Sequence, residues 1–222
     1  MTSVYWSARR GNTGTKGEAM GIVVRGKRGP VRADAANVVR GQRTRERLLQ
    51  CARQRIQEHG FEAMRLDDLA RDAEVTKAAV IKSVGGKASI LLSLGEEDRQ
   101  TRVAVIRAAL ARRTSLKRRI ADLVRELYAL DIARLNVVMA WIGYQWFWSG
   151  DDHVRAQAML DDTRMHVREL IEAASGPAST PQRAEVLAFR VLAGYVIGLR
   201  RLRYGRATLD DAVATVVEHT LD

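Results

Sequence analysis

Residues Val75 to Leu92 read VTKAAVIKSVGGKASILL. Two apolar patches flank the glycine pair Gly85 and Gly86, and Lys77, Lys82 and Lys87 follow one another at intervals of five. Three readings are open: a phosphate-gripping loop, a membrane-facing segment, or half of a DNA-reading motif. The first is weak. GGK lacks the longer glycine frame and the hydroxyl after lysine that nucleotide and magnesium binding require, and it follows a helical pattern rather than a strand. The second is weak because no run in the chain approaches the roughly 18 uncharged apolar residues of a span. The longest weakly charged piece, Leu135 to Gly150, is shorter and contains Asn136 and Gln145.

The neighbouring sequence favours the third reading. Thr76 is suited to cap a helix running through Val84. On it Ala79, Val80 and Val84 face inward, while Lys77, Ala78, Ile81 and Lys82 stay outside. Upstream, Leu66, Leu69, Ala70 and Ala73 follow helical spacing, with Asp67 and Asp68 at the positive end of a short helix. Earlier still, TRERLLQCARQRIQEH predicts a helix from Thr44 to His59, with Leu48, Ala52 and Ile56 as its apolar stripe and Gly60 as its stop. Three short helices joined by tight turns fit a helix-turn-helix head. From spacing alone, a merely structural helical hairpin fits as well.

The rest of the chain reads as helix. Glycine and proline are sparse, at 17 and 3 of 222 residues, so long helices go uninterrupted. Lys87 is expected to open a helix reaching about Arg113. Further helices are expected near Ser115 to Leu130, Ile132 to Trp148, Asp152 to Ala174, Pro181 to Tyr204 and Leu209 to Leu221, with SGPASTP separating two of them. The expected fold is all-α. Residues 1–42 form a basic flexible arm, 43–94 a DNA-binding head, and 95–222 a larger helical domain for effector binding and dimerisation.

The net charge of +11 is unevenly placed. Met1 to Arg47 carries 11 Lys/Arg against 3 Asp/Glu. Such an arm suits nucleic acid or an anionic surface. Its cluster Arg25, Lys27, Arg28 and Arg32 precedes the first predicted helix, where it could reach a minor groove or the DNA backbone. Met20 offers a second start for a shorter product. The single cysteine, Cys51, excludes an internal disulfide and a cysteine-rich zinc site. It agrees with a reducing compartment, and the N-terminus lacks the apolar stretch of a signal peptide. A cytoplasmic protein is expected, without a membrane partner. His59, His153, His166 and His219 lack the spacing of a common zinc motif, and the aspartates come without a nucleophile. Neither an enzyme nor a cofactor is expected.

Thr44 to Leu94 resembles the DNA-binding head of the TetR family of transcriptional regulators. The likeness lies in TRERLL, the EHGFEAM turn, LDDLARDAEVTKAAV and the GGK entry to the fourth helix. It implies a helical homodimer that controls transcription by binding a double-stranded DNA operator, usually as a repressor released by a small molecule. By position it implies that Thr44 approaches a phosphate at the start of the first helix. Thr76 would cap the recognition helix, Lys77, Ala78, Ile81 and Lys82 would face the groove, and Lys87 would grip phosphate. The chain departs from the family where Ile81 and Val84 replace common aromatics and where Arg65 replaces a small hydroxyl cap. Ile81 cannot donate to phosphate, and Arg65 cannot accept from free backbone N–H groups. The basic arm is the candidate compensation. The main alternative is a helical interaction or scaffold subunit with a weak DNA-binding head.

Beyond the head, MAWIGYQWFWSGDDH gathers three of the four tryptophans. Trp141, Tyr144 and Trp148 share a helical side, with Gln145 and His153 near them as polar candidates. They form either a pocket for a flat or apolar effector or a core plug. For dimerisation, Leu192, Val196 and Leu199 lie near one side of FRVLAGYVIGLRRLRYG, and Gly194 and Gly198 permit close helix contact. With Val213, Val216 and Val217 of the last helix they could build a four-helix interface. An internal core would use the same residues.

Overall fold

The computed structural model describes residues 31–176 and 180–221. Among them are nine helices: α1 (Val31–His59), α2 (Leu66–Asp72), α3 (Lys77–Val84), α4 (Lys87–Ala111), α5 (Leu116–Ile132), α6 (Leu135–Tyr144), α7 (Gly150–Ser175), α8 (Pro181–Arg203) and α9 (Leu209–Leu221). The all-α expectation holds, and α9 falls on its expected bounds. The first helix does not. It begins at Val31 rather than Thr44, so the end of the expected flexible arm is helical. The reason is composition: VRADAANVVRGQR contains only Gly41 as a breaker, and Pro30 stands immediately before it.

Two apolar cores share one long helix. The smaller core is the head. Leu48, Ala52 and Ile56 of α1, Leu69 of α2, Val80 and Val84 of α3, and Ile90, Leu91 and Leu94 of α4 close on one another. The larger core gathers α5, α7, α8 and α9 around Leu123, Leu170, Val191 and Val216, and takes Ile106 and Ala109 from the far end of α4. Thus α4 starts in one core and ends in the other. No single described helix is long and apolar enough to cross a membrane. The pair α3 and α4 reaches that composition only together, bends by 49° at its break, and buries Ile90, Leu91, Leu92 and Leu94 inside the protein.

The α2–α3 turn is closed by the backbone. Val75 N–H donates to Ala70 C=O at 2.9 Å, and Glu74 occupies the left-handed region with φ 52°. That position favours glycine, and a side chain there costs about 1–2 kcal/mol. At the end of α1, Gly60 does supply the glycine, with φ 84°.

Two other glycines are needed for close approach. A Cβ on Gly198 of α8 would collide with the Tyr128 hydroxyl of α5, and one on Gly95 of α4 would collide with the Trp141 indole of α6. Gly194 packs against Val216. The glycines of α8 therefore serve packing within the chain. Leu199 and the valines of α9 are likewise buried in the larger core.

Candidate functional site

The outer face of α3 is built by its cap and its apolar inner side. The Thr76 hydroxyl accepts from Ala79 N–H at 3.1 Å, which starts the helix. Val80 and Val84 are buried, which turns Lys77, Ala78, Ile81 and Lys82 to solvent. Ile81 is 51% exposed, an unusual position for a large apolar residue on a short helix. Lys77 bonds Asp67 at the start of α2, at 3.0 Å. By contrast, Lys82 makes no ion pair with any described residue. At the start of α2, Arg65 provides no side-chain cap, as its chemistry requires.

Thr44 is not at a helix start. It sits inside α1, and its hydroxyl donates to the Arg40 carbonyl one turn back, at 3.0 Å. Lys87 is also engaged. Its ammonium donates to the Glu62 carbonyl at 2.9 Å and lies 4.7 Å from the centre of the Phe61 ring. It fastens the start of α4 to the turn after α1. Arg25, Lys27 and Arg28 lie outside the described residues, and Arg32 falls in the first turn of α1. Sequence reading missed Arg45. It donates to the Ser83 carbonyl at 3.0 Å and to the Ser93 hydroxyl at 2.8 Å, tying α1 to the end of α3 and to α4. Its only signal was its place one residue after Thr44.

The larger domain holds a cavity of about 160 Å³ between α4, the end of α5, α6, α7 and α8. Its wall is mainly apolar, with Val138, Trp141, Ile142, Leu160 and Leu192 prominent. Of the five residues expected to bind a ligand, Trp141 and Gln145 line it. Tyr144, Trp148 and His153 do not. Tyr144 meets Phe61 edge-on at 5.4 Å, on the side of α6 facing the head. Trp148 packs with Leu92 and Ala156 in a small cluster against which Trp141 and Tyr144 also lie. His153 is exposed. The helix that carries Trp141 stops at Tyr144, yet the three rings still gather as expected, with Trp148 5.1 Å from Trp141 and 5.9 Å from Tyr144 between ring centres; of the three, only Trp141 also lines the cavity.

The polar side of the cavity was the part that sequence reasoning did not find. Asp131 is fully buried and accepts two bonds from Arg102, at 2.9 and 2.6 Å. The Tyr195 hydroxyl also donates to it. Asp98, nearly as buried, accepts from Arg134 at 2.5 Å and from Arg53 at 3.2 Å. Arg53 belongs to α1, so the ion-pair chain runs from the cavity into the head. Burial works against the charge on Arg102, but Asp131 outweighs it and the guanidinium is held above its ordinary range. Burial, followed by the Asp131 charge, pushes Tyr195 well above the usual phenol value, so it stays a donor. Tyr128 stacks on Tyr195 with ring centres 4.6 Å apart and donates to its carbonyl.

A second link uses α6 itself. The Asn136 amide donates to the Gln57 carbonyl of α1 at 2.6 Å. Val137 reaches both the head core and the cavity wall. The described residues contain no group of His, Cys, Asp and Glu arranged to hold a metal.

This two-core arrangement is the fold of the TetR-type regulators. The transcriptional regulator FadR from Bacillus subtilis, solved in complex with stearoyl-CoA, superposes with a TM-score of 0.64 at 14% identity, over 80% of this chain and 97% of that one. The TetR family regulator PfmR from Thermus thermophilus gives 0.60 at 17% identity, over 78% and 94%. The superantigen PfiT gives 0.59 at 19% identity, over 79% and 94%. No family model matches the chain, and no curated protein matches it. At these identities the likeness establishes the fold, and function has to come from the site.

Proposed function

We propose that the chain is a DNA-binding transcriptional regulator, a homodimer that reads an operator through α3 and is released by a small molecule entering the cavity. The carrying observation is the outer face of α3. A capped, well-anchored helix presents Lys77, Ala78, Ile81 and Lys82 to solvent, the arrangement a major groove accepts. The lysines suit phosphates or guanine edges, and Ala78 suits a thymine methyl. Ile81 supplies apolar contact in place of a phosphate bond.

Release follows from shared elements. Val138, Trp141 and Ile142 of α6 form cavity wall, while Asn136 holds α1. Asp98 of α4 borders the cavity and holds Arg53 of α1. A ligand that displaces α6 or α4 therefore displaces the head. That a regulator of this fold was solved in complex with stearoyl-CoA supports a small-molecule effector for this chain. For dimerisation, α8 offers an exposed apolar row, Val186, Phe189 and Ile197, with Phe189 68% exposed. That row replaces the side containing Leu199 as the interface, and two copies of α8 meeting there give a closed two-fold contact.

The test is selection of DNA from a random pool by the purified protein, followed by binding to the recovered site. Enrichment of a two-fold-related sequence is expected, with preference reduced in Lys82→Ala and Ile81→Ala. Binding no better than to random DNA would favour the interaction-subunit alternative, which the exposed Trp146 and Phe147 would then serve.

A further inference from the structure

We propose that the cavity takes a small, uncharged, largely apolar molecule carrying one hydrogen-bonding oxygen, and that it discriminates against the same skeleton ending in a carboxylate. The proposal rests on the effector reading above and narrows its ligand to a chemical class.

Four ionised side chains border the cavity: Asp98, Arg99, Arg102 and Asp131. At first sight they invite a charged ligand. Each, however, already has an opposite charge within the protein. Arg102 is bidentate on Asp131, Asp98 holds Arg134 and Arg53, and Arg99 bonds Asp162 at 2.7 Å. The bordering charges sum to zero. Their further partners, Arg53 and Arg134 against Glu97 and Asp162, also sum to zero. A ligand carboxylate would have to take Arg102 from Asp131 and leave that fully buried carboxylate with only the Tyr195 hydroxyl and the more distant Arg134, at 3.8 Å. An ammonium group would leave a guanidinium in the same position. Breaking a buried pair from either side is strongly unfavourable, so the Arg102–Asp131 and Asp98–Arg134 side of the wall repels both ions although it is rich in charge; the Arg99–Asp162 pair is more exposed and lies apart from this buried belt.

The remaining polar groups are nearly all used. The Tyr195 hydroxyl is committed to Asp131, and the Thr163 hydroxyl to the Met159 carbonyl at 3.0 Å. The Gln145 side chain has no hydrogen bond with a described residue and borders the cavity. The Trp141 indole N–H is buried against Gly95 with no acceptor. Both groups lie toward the end of α6. A hydroxyl, ester or ketone oxygen gives the Gln145 amide a neutral partner there. The body of the ligand lies on Val138, Ile142, Leu160 and Leu192.

The experiment titrates the full chain with 1-decanol and with decanoate by calorimetry near neutral pH, where decanoate is ionised. Decanol should bind at least about tenfold more tightly, a factor worth about 1.4 kcal/mol. Leu192→Trp, which fills the cavity, should abolish the decanol signal, with folding checked by an unchanged helical circular-dichroism spectrum. Asp131→Asn keeps the shape of the buried side chain and frees Arg102 of its counter-charge. It should raise decanoate affinity at least about tenfold and change decanol affinity little. If that variant does not fold, the wild-type pair still decides. Decanoate binding as tightly as decanol overturns the proposal, as does decanol failing to bind or binding equally to Leu192→Trp. Decanoyl-CoA binding more tightly than decanol also overturns it, by assigning the chain to a large anionic carrier. DNA selection without any ligand tests the regulator reading separately, so either can fail alone.

Discussion

The outer face of α3 and the wall of the cavity treat charge in opposite ways. On α3, Lys82 stands in water with no carboxylate partner among the described residues, and Lys77 shares an exposed contact with Asp67. At the cavity, Arg102, Asp131, Arg134 and Asp98 are withdrawn from water and matched one against another. An exposed unmatched charge acts through long-range attraction and is weakened by salt. A buried matched pair acts through geometry, because its removal leaves a stranded partner. On the proposed reading, the first surface would meet an outside polyanion, while the second holds helices in register.

The sharpest way to break this contrast is at Asp131. Asp131→Ala should lower the unfolding free energy by about 3–5 kcal/mol in a denaturant titration, since Arg102 and Tyr195 lose their acceptor together. A loss near that of an ordinary surface substitution would mean that the buried belt contributes nothing special. Gly198→Ala tests the same region by packing alone. Its methyl must displace the Tyr128 hydroxyl, so about 1–3 kcal/mol should be lost.

Smaller effects are expected on the outside. Lys82→Ala should leave stability within about 0.5 kcal/mol of wild type. If each Lys82 of the proposed homodimer contacts one phosphate, the slope of log affinity against log salt should fall by about 1.8. Lys87→Ala should behave differently from Lys82→Ala, because its ammonium serves Phe61 and Glu62. A stability loss of about 0.5–1 kcal/mol should accompany any change in DNA binding. Equal behaviour of the two variants would erase the distinction. Finally, Glu74→Gly should stabilise the head by on the order of 0.5–1 kcal/mol, by relieving the left-handed turn. Thermal unfolding reads that change.

The same contrast explains what the sequence disclosed. The head is made of short-range features. Thr76 caps a helix three residues away, Gly60 ends α1, and apolar spacing within α2 and α3 sets inside from outside. Each is legible in a window of a few residues. The cavity is assembled from α4, the end of α5, α6, α7 and α8, which are spread along the chain. Asp98 and Arg102 stand one turn apart on α4, which suggests a local pair, yet each takes its partner from another helix. No local pattern announces that exchange. Tryptophan content pointed to an aromatic cluster that the structure does bring together, Trp141 and Tyr144 both packing on Trp148, but it did not show that only Trp141 also borders the cavity. The early start of α1 was hidden by the basic character of the segment, which reads as a tail although its residues tolerate helix well.

The continuity of α4 sets a rule for the length of the chain. Because this one helix passes through both cores, its residue count fixes the angle between the side that would face DNA and the side that holds the cavity. Inserting a single residue between Ser93 and Arg102 would turn one core relative to the other by about 100° and separate them by about 1.5 Å. Substitutions along that stretch leave the phase intact, whereas insertions and deletions do not. Chimeras that exchange heads between proteins of this fold should therefore be joined within α4 by matching its phase, with the junction chosen by counting residues rather than by aligning their identities.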